Sequence, residues 1–290
     1  MPAVTKAVLP VAGLGTRFLP VTKSVPKEML PVVDRPGLEY IVAEAVEAGL
    51  HELIFVTGAG KGAIEDYFHR DFFLEAQLEA AGKLDYLREV KRVGELAKVV
   101  SVRQVQRLGL GHAVHQAKGI VGPDEDFAVL LGDDIIDAET PAIGQLLEVQ
   151  RERGGCVVAL MDVPREQTNR YGICDGQMVG PGLMHVSGMV EKPEPADAPS
   201  TYSIVGRYVL PGEILEILDT TPRGRGGEIQ LTDALAVLAG RGQAWGLEFQ
   251  GDRFDTGNTL GLMRASIHFA LKRPDLADGM RAVLREFQQP

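Results

Sequence analysis

Two glycines and two cations stand close together near the amino terminus. Gly13, Gly15 and Arg17 lie in Pro10-Val11-Ala12-Gly13-Leu14-Gly15-Thr16-Arg17-Phe18-Leu19-Pro20, and Lys27 follows in Pro26-Lys27-Glu28-Met29-Leu30-Pro31. Glycine lets a backbone approach a ligand closely, and guanidinium and ammonium heads bind phosphate. Acidic groups sit further on. Val129-Leu130-Leu131-Gly132-Asp133-Asp134 ends in two carboxylates, and Arg253-Phe254-Asp255-Thr256-Gly257-Asn258 carries another. Magnesium takes hard oxygen ligands, usually one or two carboxylates plus substrate phosphates. Asp133 is therefore a candidate ligand, with Asp134 as neighbour or support and Asp255 as a second carboxylate on the same ion. The competing readings are a solvated Asp-Asp turn and a helix cap at Asp255.

Three further groups suit a nucleotide and a sugar. Gln104, after Arg103, offers an amide donor and acceptor for a pyrimidine edge, and Gly109 leaves main-chain groups free to complete that pairing. Glu191 and Lys192, in Val190-Glu191-Lys192-Pro193, can accept from sugar hydroxyls and hold a sugar phosphate; Gly172, in Asn169-Arg170-Tyr171-Gly172, can admit a sugar ring. Each of these also reads as a strand end or surface turn when taken alone. His112 carries no assigned chemistry, and no Ser, Cys or His stands in the setting of a covalent nucleophile.

Two common nucleotide motifs are excluded. The dinucleotide fingerprint requires glycine where Phe18 stands and an immediate helix, which Pro20, Pro26 and Pro31 oppose. Gly58-Ala59-Gly60-Lys61-Gly62 imitates a P-loop, but Phe55 occupies the first glycine position and Gly62 replaces the Ser or Thr; it reads as a strand-to-helix turn.

The elements that must position these groups follow from the apolar runs. Lys6–Val11, Leu53–Thr57, Val99–Arg103 and Phe127–Leu131 read as strands buried on both faces. Helices fall near Gly37–Ala48, within Ala63–Glu95 and from Gly111. Such alternation implies an α/β fold with a mostly parallel, helix-covered sheet, whose strand ends are where ligands bind. Val157–Val163, Gly172–Cys174, His185–Val190 and Ser203–Val209 make the second half strand-rich. Helices at Gly212–Leu218 and Thr232–Ala239, then a strand at Ala244–Phe249, precede an apolar helical stripe containing Leu260, Met263, Ile267 and Leu271, then Leu276, Met280, Val283 and Phe287. That stripe reads as internal packing, or as a contact with a second copy in a homodimer or homotetramer.

With 30 basic and 40 acidic residues the chain carries a net charge of −10, which argues against nucleic acid and against an anionic membrane surface as partners. Charge placement outweighs this overall sign at a phosphate site, because the diffuse field is screened beyond about 8 Å. Cys156 and Cys174 have no metal or disulfide spacing and read as reduced, half-buried thiols. No apolar run approaches the roughly 18 residues of a membrane span, and the expected location is the cytoplasm.

The ordered set of segments resembles the sugar-1-phosphate nucleotidylyltransferase family, in particular its bacterial members that join UTP to glucose 1-phosphate. The resemblance is carried by Gly13 to Pro20, Pro26 to Pro31, Arg103-Gln104, Gly109-Leu110-Gly111-His112-Ala113, Glu191-Lys192-Pro193, Ile204-Val205-Gly206-Arg207-Tyr208 and Gly227-Glu228-Ile229-Gln230-Leu231-Thr232-Asp233. It implies a Rossmann-like three-layer fold with a mixed, mostly parallel central sheet over 1–290, divided into a nucleotide-binding part (about 1–140), a strand-rich sugar-binding part (about 141–257) and C-terminal helices (about 258–290). By this resemblance Ala12, Gly13 and Gly15 belong to the nucleotide loop. Ala12 and Gly13 with Gln104 and Gly109 would hold uracil, and Arg17 and Lys27 would lie along the triphosphate. Asp133 and Asp255 would bind Mg²⁺, while Gly172, Glu191 and Lys192 would hold glucose 1-phosphate. Gly132 stands where such members commonly have proline and is shared with thymidylyltransferase relatives. A thymidylyltransferase for glucose 1-phosphate and a non-catalytic sugar-nucleotide sensor are thus the alternatives.

Overall fold

The computed structural model describes residues 4–287; the outermost positions of the expected 1–290 unit lie outside the described residues. In chain order the first strand, β1 (Lys6–Pro10), leads through a loop of short 3₁₀ turns to a two-residue ribbon, β2 (Pro31–Val32) and β3 (Arg35–Pro36), and to α1 (Gly37–Glu47). Next come β4 (Glu52–Thr57), α2 (Gly62–Phe68), α3 (Phe72–Ala80), α4 (Leu84–Gly94), β5 (Lys98–Arg103), α5 (Leu110–His115), β6 (Phe127–Leu130), β7 (Asp134–Asp137) and α6 (Ala142–Arg153). The second half contains β8 (Cys156–Asp162), β9 (Gly172–Gly180), β10 (Leu183–Glu191), β11 (Tyr202–Leu210), α7 (Ile214–Thr220) and α8 (Leu231–Gly240). It closes with β12 (Ala244–Glu248), β13 (Asp252–Asp255), α9 (Thr259–Lys272) and α10 (Ala277–Glu286).

Among the described residues, nine strands form one sheet in the order β5-β4-β1-β6-β11-β8-β12-β10-β9. Side chains alternate across it because the strand period is two. Val8, Ile54 and Val129 point into one core with α5, α7 and α8, whereas Ala7, Leu9, Leu53 and Phe55 point into the other with α1, α2 and α6. The result is the expected three layers. Pairing is parallel along β5-β4-β1-β6 and between β8 and β12, and antiparallel where β11 meets β6 and β8 and where β10 meets β12 and β9. The sheet is mixed, as expected, with three of its parallel pairs in the first half of the chain and the fourth between β8 and β12.

Three expectations need correction. β5 is not buried on both faces: it pairs only with β4 at the sheet edge, and every residue in it is exposed or half-buried. Cys156 and Cys174 are fully buried rather than half-buried, and burial pushes the Cys156 thiol up to about 12. The C-terminal stripe is not uniformly internal. α9 buries Ala265 and Ala270 and stacks Phe269 on Tyr40 with ring centroids 4.5 Å apart, while Leu260 and Met263 are 67% and 58% exposed. No helix among the described residues is long and apolar enough to cross a membrane.

Candidate active site

The first glycine loop leaves β1 at the carboxyl edge of the sheet. Gly15 adopts φ 66°, a left-handed conformation, and a Cβ there would stand 3.0 Å from Lys27 Cβ and Thr22 Cγ2. Thr22 Oγ1 donates to the Gly15 carbonyl at 2.8 Å, which closes the loop. Gly13 sits against the Lys27 stem, where an added Cβ would lie 3.4 Å from Cε. The loop thus wraps the lysine, whose Nζ donates to Asp133 Oδ2 at 2.6 Å. Burial alone would raise Asp133 and lower Lys27. Their mutual attraction prevails, so Asp133 is held below the usual carboxylate range, helped by Arg17 and Arg253, and Lys27 is raised.

The P-loop lookalike is the strand-to-helix turn that the sequence suggests, between β4 and α2. Its lysine is nevertheless not a surface group. Lys61 is buried and donates to buried Glu28 Oε2 at 2.6 Å. Burial pushes Glu28 up and Lys61 down, toward their neutral forms. This contact ties the turn to the segment carrying Lys27.

The two acidic segments meet through a ribbon. β7 pairs antiparallel with β13, setting Asp134 opposite Asp255. The Thr256 amide and hydroxyl both donate to the Asp133 carbonyl, at 2.8 and 2.9 Å. Gly257 marks the point where the carboxylates converge, since a Cβ there would lie 2.7 Å from Asp133 Oδ2 and 3.0 Å from Asp255 Oδ1. Asp134 plays a different part. It is buried, receives the Gly206 amide at 3.2 Å and pairs with Arg253 at 2.6 Å; burial raises it. The pair is therefore divided: Asp133 turns toward the cleft and Asp134 locks the ribbon to β11. Beneath them the wholly buried Arg207 grips Glu44 Oε1 at 2.9 Å and Oε2 at 2.5 Å, and donates to the Asp134 carbonyl at 2.8 Å.

A cleft of 340 Å³ brings together Arg17, Asp133, Asp255, Gly172, Glu191 and Lys192. Gly172 faces Glu191 across the β9–β10 pair. A Cβ at Gly172 would come 2.9 Å from Thr232 Oγ1 and 3.3 Å from Glu191 Oε2. Thr232 donates to that oxygen at 2.6 Å, and Lys192 pairs with Oε1 at 2.8 Å. Lys192 has φ 47°, an uncommon conformation for a residue with a side chain, of the kind that clusters at ligand sites. Its amide donates to the Tyr171 carbonyl at 2.9 Å, joining the 169–172 and 190–193 segments.

Gln104, Gly109, Ala12, Gly13, Gly15 and Lys27 do not line this cleft; Lys27 reaches it through its contact with Asp133. Gln104 is buried, with its amide donating to the Gly109 carbonyl at 3.3 Å and lying 2.9 Å from His112 Nδ1. A Cβ on Gly109 would meet Glu228 Cβ at 2.7 Å, and the Gly111 amide donates to the Ile229 carbonyl at 2.9 Å, so the 227–233 segment backs this loop. Arg107 Nε donates to the Ala12 carbonyl at 2.8 Å. Sequence reasoning missed Arg107, Arg253, Arg207 and Thr232. The last two lie inside segments that carried the resemblance, and Arg253 adjoins Asp255; Arg107 had no signal beyond its place in a loop.

An α/β sheet with a glycine loop, a cation and two converging carboxylates at one edge, beside a polar cleft, has the architecture of enzymes that transfer a nucleotidyl group. The chain belongs to the nucleotidyl transferase family, whose model matches residues 6–270. Within that family it is 46% identical, over 99% of both chains, to UTP–glucose-1-phosphate uridylyltransferase of Staphylococcus epidermidis. Among solved structures it resembles a UTP-bound UGPase from Acinetobacter baumannii (44% identity, TM-score 0.90, 98% of this chain and 100% of that one). A UDP-glucose pyrophosphorylase complexed with UDP-glucose matches with 38% identity, a TM-score of 0.85 and coverage of 93% and 100%.

Proposed function

We propose that this chain transfers the uridylyl group of UTP to glucose 1-phosphate, releasing pyrophosphate and forming UDP-glucose. Its similarity to the uridylyltransferase and to the UTP and UDP-glucose complexes extends over nearly its whole length. The observation that carries the reading is the single cleft in which Asp133, Asp255 and Arg17 face Glu191 and Lys192. Two anionic substrates need this combination of anchors from opposite sides.

A phosphate oxygen of glucose 1-phosphate attacks the α-phosphorus of UTP, the bond to the β-phosphate breaks and pyrophosphate departs. No covalent enzyme intermediate is required, because the attacking oxygen is already anionic. The protein's work is alignment and charge neutralisation. In this reading Ala12, Gly13, Gly15, Gln104 and Gly109 hold the nucleoside end, Arg17 and Lys27 follow the triphosphate, and Gly172, Glu191 and Lys192 seat the sugar phosphate. Asp133 and Asp255 suit Mg²⁺: both supply hard oxygens, and they converge at Gly257 with no room for a side chain between them. The described residues contain no group of three acidic, His or Cys ligands, so substrate phosphates and water would complete the shell. When bound, the ion supplies Lewis-acid charge at phosphate oxygens.

The acidic surface favours small-molecule partners over nucleic acid or anionic membrane, in keeping with a cytoplasmic enzyme. The exposed Leu260 and Met263 of α9 offer a face to a second copy, in a dimer or tetramer. Pyrophosphate release with UTP and dTTP side by side, across a panel of sugar phosphates, tests the activity. Preferred turnover of UTP with glucose 1-phosphate is expected. Binding of UTP without pyrophosphate release would instead identify a sensor, and preference for dTTP would overturn the uridylyl reading.

A further inference from the structure

The amide of Gln104 has a fixed polarity. The Gly109 carbonyl carries no proton, so the Gln104 atom 3.3 Å from it must be the donor Nε2, and that nitrogen also lies 2.9 Å from His112 Nδ1. A primary amide nitrogen has two protons, and both are directed into the protein. Oε1 is then the part of this side chain left to meet a ligand, and it can only accept. At the corresponding edge uracil and thymine present an N3–H donor, whereas cytosine presents an unprotonated N3.

We propose that His112 is a positioning residue for base choice: by accepting the second amide proton of Gln104, it turns Oε1 outward and makes the site select an imide-bearing pyrimidine over cytosine. This deepens the proposed function and rests on Gln104 being at the base. The ring must be neutral with its proton on Nε2. Burial lowers the His112 pKa, with His115 and Arg223 adding to the effect, so the neutral form prevails at pH 7. Gln116 Nε2 lies 3.3 Å from the far ring nitrogen, a longer and weaker contact than the 2.9 Å one from Gln104, and it has the His112 carbonyl at 3.1 Å as its better acceptor, so the Gln104 contact sets the tautomer. The other acceptor is held just as firmly, since Gly109, at φ 99°, is packed against Glu228 and Ile229. Without His112, one amide proton loses its partner and the amide can turn over.

The test measures kcat/KM for UTP, CTP and dTTP in His112→Phe, His112→Asn and Gln104→Ala. Phenylalanine keeps the ring volume and removes the acceptor; asparagine restores an acceptor through Oδ1. In His112→Phe the UTP:CTP ratio is expected to fall about tenfold or more, mainly through KM, with UTP:dTTP unchanged within about twofold, because both bases carry N3–H. His112→Asn should recover most of the UTP:CTP ratio. These ratios are insensitive to the fraction of folded enzyme. The inference is overturned if His112→Phe keeps the UTP:CTP ratio while Gln104→Ala lowers it, or if His112→Asn is as unselective as His112→Phe. A ratio unchanged in Gln104→Ala as well would remove the base assignment itself and the inference with it.

Discussion

Lys27 and Asp133 neutralise each other at 2.6 Å, so in the proposed reading triphosphate and metal would have to compete with an existing ion pair. Charge exchange of this sort keeps buried charges compensated at each stage. Lys27→Ala and Asp133→Ala are each expected to lower turnover by a few orders of magnitude with the fold intact by circular dichroism; full activity in both would refute the assignment. The pair also sets a pH window. Asp133 is depressed, so its contribution is present above the ordinary carboxylate pKa and lost as pH falls through the lower native value. Lys27 is raised, so its contribution is present below the ordinary lysine pKa and lost as pH rises through the higher one. The contact should therefore persist from about pH 4 to about pH 10. In Lys27→Met burial remains and the main opposing charge is gone, so the Asp133 titration, followed by carboxylate ¹³C NMR, should move upward. Gly257→Ala would press a methyl against both carboxylates, and a marked loss of turnover with little change in Tm is expected.

Among the elements, the β7–β13 ribbon and the Arg207–Glu44 contact do most to define the cleft. Removing one partner of a buried ion pair costs about 3–5 kcal/mol, because the remaining charge stays desolvated. Glu44→Gln leaves Arg207 without its anionic partner, and urea unfolding should report a loss of that order; a change under about 1 kcal/mol would show that the arginine finds another partner. This contact also illustrates what local patterns could not reveal. β1, β4 and β6 were legible because apolar runs bounded by glycine and proline fix buried strands, β5 was read as a strand but not as an exposed edge, and the glycine loop and Asp133 follow from strand ends. α6 was missed because its buried apolar residues are confined to its first half, Ala142, Ile143, Leu146 and Leu147, ahead of the polar run Gln150 to Arg153. β13 escaped notice because Asp252–Asp255 is short, and half-buried or exposed throughout. Nor does spacing distinguish Asp133 from Asp134. Their separate roles depend on Arg253 and Gly206, which arrive from distant strands.

For the molecule as a whole, a net charge of −10 repels anions at long range, while in the proposed reading the individual cations Arg17, Lys27 and Lys192 would attract them at short range. Salt screening acts mainly on the former. The exposed apolar residues on α9 are where the proposed contact with a second copy would form. Leu260→Glu combined with Met263→Glu should shift sedimentation velocity from the assembled species toward monomer, and an unchanged distribution would clear this face of a role in assembly. The ribbon has a consequence of another kind. The threonine next to its second strand clasps the Asp133 carbonyl from 123 positions further along the chain. A refolding polypeptide can close its glycine loop from neighbouring residues, yet it cannot bring the paired carboxylates together until this long loop has closed, and closing distant segments costs more entropy than closing near ones. Regain of turnover should thus lag behind formation of the glycine loop during refolding, which makes catalysis itself a reporter of that long-range closure.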